Sequence, residues 1–246
     1  MNIQKGRTTF FCFLFFLCTL LSYAQRKNIW ASEKAENLLL YQKNVRKIKV
    51  QKERIFKLEL SQLKMQLKKC KKRSIGKNQK TVPVLVDFPN KEKGFASYEV
   101  FETSDMGESL QAKYPSIKSY TGIRSDQKGS VRFSVSSLGL HAMIFDVTGK
   151  TYYIDPYTKD GLNYTLYSKS ELSRSKKAFH CETEESISAN KEKKSARGKV
   201  ATDGKLRTFR LALGCTGEYA QFHLTDQGIP DSASDVEKKT AVLSAM

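Results

Sequence analysis

Three histidines (His141, His180, His223) and three cysteines beyond residue 24 (Cys70, Cys181, Cys215) are the side chains here best suited to hold a metal or attack a substrate. Imidazole and thiolate are the usual ligands of zinc, but the metal needs three or four of them converging, and H-E-x-x-H is the spacing by which one helix delivers two. That spacing is absent, so no metal site is expected from this chain alone and no catalytic or cofactor-binding residue is assigned. His141 falls on a predicted strand, Leu140 to Val147, where a packed or hydrogen-bonded role is expected. His223 follows a predicted strand end, Tyr219-Ala220-Gln221-Phe222, and is expected on the surface. Glu218 could orient a substrate or bind a structural cation, but a single acid without a partner is usually solvated. Asn163-Tyr164-Thr165 fits the N-glycosylation pattern, a short motif that also matches by chance.

The N-terminus says where the protein goes. Lys5 and Arg7 form a positive start, Phe10 to Leu21 is an apolar run, and Ser22-Tyr23-Ala24 offers small residues where a signal peptidase reads. The run is well short of the ~20 residues a membrane-spanning helix needs, which disfavours an uncleaved anchor. Cleavage is expected between Ala24 and Gln25, giving a secreted, extracellular chain with no stable membrane insertion. Cys12 and Cys18 leave with the signal, and the remaining three cysteines are an odd number in an oxidising compartment. At least one thiol stays free or pairs outside the chain.

The net charge of +18 is concentrated. Between Gln25 and Ser74 there are 16 Lys or Arg against 4 Glu. Such an arm can bind polyanions by counterion release, but its aromatic residues, Trp30, Tyr41 and Phe56, are too far apart to act as stacking platforms for bases. Nucleic acid is not an expected partner.

The elements that would position these residues divide the chain. Asn28 to Val50 reads as a helix with Trp30, Leu38, Leu39, Tyr41, Val45 and Ile48 apolar; Ile55 to Leu60 alternates as a strand, and Ser61 is expected to cap a short helix carrying Leu63, Leu67 and Cys70. From Thr81 the pattern becomes short strands: Val82 to Phe88, Phe95 to Glu102, Ile117 to Ile123, Val131 to Val135, Leu140 to Val147, Tyr152 to Asp155 and Leu162 to Tyr167. A helix from Met106 to Lys113, capped by Ser104-Asp105, interrupts them. Phe95, Tyr98, Phe101, Tyr120, Phe133, Met143, Phe145, Tyr153 and Tyr167 are available as core for this antiparallel meander. Ser168 to Lys205 is charged and apolar-poor, a protease-accessible linker. Arg207 to Leu213 then alternates as a strand, and Ser234 or Asp235 is placed to cap a helix whose stripe contains Val236, Thr240, Ala241, Val242, Leu243 and Met246. No stop signal follows that stripe, so the chain is expected to be the front part of a longer precursor.

Several stretches, taken in order, resemble the secreted bacterial reprolysin-like (metzincin) zinc metallopeptidases. Tyr98 to Glu102, Met106, Leu110, Lys113 to Tyr120, Val131 to Ser136, Leu138 to Met143 and Thr151 to Tyr157 look like the propeptide of such enzymes. Phe209 to Tyr219 is similar to the first strand of their catalytic domain. The resemblance covers roughly residues 50 to 246 and implies an α+β fold: a propeptide dominated by an antiparallel β-meander with short helices, then the first strand and truncated first helix of a metzincin-like α/β domain. The implied domains are signal peptide 1–24, a basic and largely helical lead-in 25–80, a β-rich propeptide core 81–170, a cleavable linker 171–205 and the start of the catalytic domain 206–246. It also implies zinc as cofactor in the full-length enzyme, protein or peptide substrates, and the chain's own catalytic domain as partner of the propeptide. The H-E-x-x-H-x-x-G-x-x-H motif does not occur here, so no ligand is carried over. Cys181, in Phe179-His180-Cys181-Glu182, stands where related propeptides place a latency thiolate; otherwise it is a free thiol or half of a disulfide to Cys70 or Cys215. The competing function is a secreted basic β-domain that binds anionic surface polymers or another protein.

The exported protein is expected to begin at Gln25. Intact-mass measurement checks this, and recovery of secreted protein still carrying residues 1–24 would overturn it.

Overall fold

The computed structural model describes residues 28–38, 50, 54–72, 82–91, 94–104, 106–172 and 212–246. The expected signal segment with Ala24 and Gln25, most of the predicted 28–50 helix, residues 173–205 of the expected linker with His180 and Cys181, and residues 207–211 lie outside the described residues. The chain divides into two compact units, with the boundary between Glu171 and Leu172.

The first unit is mixed α+β, built on a nine-stranded antiparallel sheet. Its strands are β1 (Trp30–Glu33), β2 (Arg54–Leu58), β3 (Val84–Pro89), β4 (Phe95–Glu102), β5 (Lys118–Arg124), β6 (Gly129–Ser136), β7 (Gly139–Asp146), β8 (Thr151–Pro156) and β9 (Asn163–Ser168). The order across the sheet is β1-β2-β9-β8-β7-β6-β5-β4-β3, so β3 to β9 form a meander and β2 returns to lie beside β9. The period-two pattern explains the faces. In β6, Val131, Phe133 and Val135 are buried while Arg132 is exposed and Ser134 half-buried. The β6–β7 hairpin turns at Gly139, whose φ of +98° suits glycine and where a Cβ would come within 2.7 Å of the Tyr164 hydroxyl. That buried hydroxyl accepts a hydrogen bond from the Leu140 amide at 3.3 Å.

The sheet curls until its two edge strands meet. The Trp30 ring of β1 lies 6.3 Å from Phe88 of β3, 5.9 Å from Tyr164 of β9 and 6.4 Å from Phe56 of β2, centroid to centroid. Its indole N–H donates to the Asp87 carbonyl at 2.7 Å. Next to it, the Arg54 guanidinium donates to the Asn90 and Lys91 carbonyls, both at 2.6 Å, and sits 5.2 Å over the Phe56 ring. Helix α1 (Leu60–Leu67) adds Leu63 and Leu67 to the same core. Beyond it the Lys71 carbonyl accepts from the Glu102 amide at 3.1 Å, extending the sheet past the end of β3.

Several sequence expectations change here. Residues 30–33 are a strand, not helix, because Trp30 buries its ring and satisfies its N–H only by reaching β3, a tertiary gain that outweighs local propensity. The described lead-in is therefore not largely helical, and the β-rich core begins at Trp30, not near residue 81. Glu59, not Ser61, occupies the N-cap of α1, without a side-chain cap bond. Helix α2 (Glu108–Lys113) starts two residues later than expected, with Gly107 as its N-cap, while the Ser104 hydroxyl accepts from the Met106 amide at 3.2 Å and donates to the Gln111 side chain at 2.7 Å. Of the nine aromatic and Met side chains assigned to the core, Tyr98, Tyr120 and Phe133 are buried there, whereas Phe95 and Phe145 are exposed and Phe101, Met143, Tyr153 and Tyr167 are only half-buried.

The second unit holds two helices, α3 (Gly217–Asp226) and α4 (Asp235–Ala245). Residues 212–216 are neither helix nor strand, so the expected strand end at Tyr219 to Phe222 is instead the first two turns of α3. The Thr216 hydroxyl accepts from the Tyr219 amide at the N-cap, and Ser234 with Glu237 forms a full capping box on α4, as the Ser234 expectation required. Tyr219 donates to the Ala245 carbonyl and Gln227 to the Ala241 carbonyl, both at 3.0 Å, which ties the helices side by side.

Trp30→Ala is expected to destabilise the first unit by about 3–5 kcal/mol, and Trp30→Phe by less, through loss of the indole hydrogen bond. Urea denaturation followed by circular dichroism reads both; an unchanged midpoint for Trp30→Ala would show that the edges close without it.

Candidate functional site

Alternation sends one set of side chains from the middle strands to the face opposite the core. The ladder register sets them in two lateral rows. Thr121, Arg132, Met143, Tyr153 and Tyr167 are successive cross-strand partners from β5 to β9, and Ser119, Ser134 and His141 form the adjoining row. Cross-strand partners on one face stand within side-chain reach of each other. Between the rows lies a shallow groove of about 280 Å³, bordered also by Thr103 and Asp155.

His141 is fixed in this groove. Its Nδ1 lies 2.9 Å from Asp155 Oδ1, and the Tyr167 hydroxyl donates to Asp155 Oδ2 at 2.5 Å. The Tyr153 and Tyr167 rings stack at 5.5 Å with 25° between planes, so the carboxylate is held from two sides and the imidazole takes one orientation. The hydroxyls of Thr103 and Thr121 are 3.0 Å apart, closing the far side. The Arg132 guanidinium is exposed and has no ion pair among the described residues. A fixed His–Asp pair resembles the orienting half of a nucleophilic triad, but among the described residues no hydroxyl or thiol hydrogen-bonds to His141, so the groove has recognition chemistry without an activated nucleophile.

The other candidate residues are scattered. Cys70 is half-buried after α1 with its thiol 3.8 Å from the Val100 carbonyl; burial, and secondarily the Glu102 charge, push its pKa up to about 11. Cys215 is exposed, and neither cysteine is bridged. His223 sits on α3, flanked by the Tyr219 ring at 4.4 Å and the Phe222 ring at 5.1 Å, and is half-buried, not fully on the surface. Glu218 lies in the first turn of α3, where a backbone amide and the Thr216 hydroxyl hold its carboxyl below the usual range; that is helix-end chemistry, not a substrate site. Asn163 is buried with its amide donating to Thr158 Oγ1, and Thr165 is fully buried, so the Asn163 motif is closed to glycosylation in the folded state. Zinc does not fit the described residues. No three of His, Cys, Asp or Glu converge among them, and the one ordered imidazole of the first unit already has its Nδ1 on Asp155.

Reading the sequence alone misses Arg132 and Asp155 and places Tyr153 and Tyr167 in the core. The signal was the parity of the strands: Arg132 alternates with Val131 and Phe133, and Tyr153 stands next to the buried Ile154. No protein-family model, curated protein or solved structure matches this chain.

A raised pKa keeps Cys70 protonated and a weak nucleophile at neutral pH. At pH 8 a thiol reagent is expected to label Cys215 rapidly and the half-buried Cys70 much more slowly, as peptide mapping would show. Equal labelling rates in the native protein would contradict the burial of Cys70.

Proposed function

We propose that this chain is the N-terminal part of a secreted zinc metalloendopeptidase precursor, in which the first unit is a proregion that assists folding and covers the enzyme, and α3 with α4 opens the catalytic domain. The carrying observation is the contrast between the two units. The first encloses its own core, from Trp30 through Leu166. In the second, Ala241 is the only buried hydrophobic residue among those described, while Leu213, Tyr219, Phe222, Val236 and Met246 are exposed. Two helices of 10 and 11 residues without a core are not stable alone in water, so their apolar side chains are suited to pack on further structure.

The residue resemblances in 98–157 and 209–219 supply the choice of enzyme class. In this reading the β unit acts by steric cover and as a folding template, and zinc is held by residues outside this chain. Substrates are proteins or peptides. No step of catalysis belongs to the residues described here.

The full-length precursor, processed, is expected to hydrolyse protein substrates and to lose that activity with a chelator. The separately produced first unit, added in trans, is expected to inhibit it. A full-length product without chelator-sensitive peptidase activity would overturn the reading.

A further inference from the structure

The groove on the outer face of β5 to β8 is made for a ligand that side chains alone can read. Both edges of every strand beneath it are already paired, so an extended peptide has no free backbone on which to add itself as a strand. What remains are hydroxyls, one oriented imidazole, one half-buried aromatic ring and one cation. Ser119 and Ser134 are half-buried cross-strand neighbours, and neither hydroxyl is engaged by another side chain among the described residues. The ring nitrogen of His141 opposite Asp155 is left to the groove. Tyr153, stacked on Tyr167 on one side, is the cross-strand partner of Met143, and both line the groove.

We propose that this groove binds an acidic sugar, a hexuronate unit of an anionic polysaccharide. The sugar carboxylate pairs with Arg132, the one guanidinium of the groove and one with no ion pair among the described residues. The ring hydroxyls exchange hydrogen bonds with Ser119, Ser134 and His141, which together offer donors and acceptors in a row matched to a polyhydroxylated ring. Tyr153 and Met143 give the apolar C–H face of the sugar something to rest on. One cation set among hydroxyls fits one negative charge per ring better than it fits a run of acidic side chains, which would need a cation for each. At about 280 Å³ the groove is near the small end of the ligand sites known in proteins, roughly 300–1,000 Å³. Asp155 is excluded from direct pairing with the ligand carboxylate by like charge; its part is to hold His141 in place. The inference stands apart from the peptidase reading, since it concerns only the first unit, and from the basic lead-in, since Arg132 lies on β6.

Calorimetric titration of the exported protein with trigalacturonate, its neutral galactose counterpart and hexaglutamate tests the inference. Saturable binding of trigalacturonate is expected, with affinity falling roughly 10- to 100-fold in Arg132→Gln, and several-fold in Ser134→Ala, while thermal stability stays unchanged. Arg132 is exposed, so its substitution leaves folding intact. Absence of trigalacturonate binding overturns the proposal. So does binding that Arg132→Gln leaves unaltered, which would assign it to diffuse positive charge, and so does tighter binding of hexaglutamate that depends on Arg132, which would make the ligand an acidic peptide.

Discussion

The closure made by Trp30 is the contact on which the first unit depends. An open antiparallel sheet ends in two rows of unpaired amides and carbonyls, which invite pairing with another chain. Here the terminal strands β1 and β3 face each other across the core without sharing a ladder, and an aromatic ring spans the gap. The indole is large enough to touch Phe56, Phe88 and Tyr164 at once, and its single donor finds the Asp87 carbonyl. A buried indole N–H without that acceptor would forfeit much of what ring burial contributes. Arg54 reinforces the seam by donating to two carbonyls of the β3–β4 turn. Lys91 of that same turn pairs with Glu171 at the end of the unit. Burial alone would raise the Glu171 carboxyl, but hydrogen bonds from Lys91 and Ser168 outweigh it and hold it below the usual range.

That seam also determines what the middle of the sheet can do. With the core face of β5 to β8 occupied by Tyr120, Phe133, Ala142 and Ile154, the opposite face is left to polar and aromatic side chains in fixed register. Strands held on both edges do not slide, so the row from Thr121 to Tyr167 and the row from Ser119 to His141 keep their alignment. The precision of the His141–Asp155–Tyr167 arrangement follows from rigid backbone, not from loops. The two helices of the second unit show the opposite condition. Their N-termini are capped by side chains, yet their apolar side chains have almost nothing to bury against among the described residues.

Local pattern sufficed wherever local physics decides. Strands β2 to β9 were visible as alternation bounded by Gly, Pro, Asn and Asp, and each falls within a residue or two of its expected limits. The capping box at Ser234 and Glu237 was likewise a short-range signal. Local pattern fails at Trp30, where apolar residues at mixed spacing suggest a helix, and at Tyr219 to Phe222, where an apolar-aromatic run reads as a strand end but Thr216 caps a helix. The groove was legible only in part. His141 was expected to be hydrogen-bonded, but nothing nearby in the sequence announces that Asp155, 14 residues on, is the partner.

By itself the sequence determined the antiparallel meander and its turns, because a strand's period of two and the conformational needs of turn residues act within a few residues. Only the tertiary structure decided that β1 and β2 complete the sheet, that its edges meet through Trp30, and that Arg132, His141, Asp155 and Tyr153 share one surface. Those outcomes rest on contacts between residues far apart in the chain, as for Trp30 with Asp87, 57 positions on, and with Tyr164, farther still. Such contacts form only when burial and hydrogen bonding at a distance outweigh what each segment prefers alone.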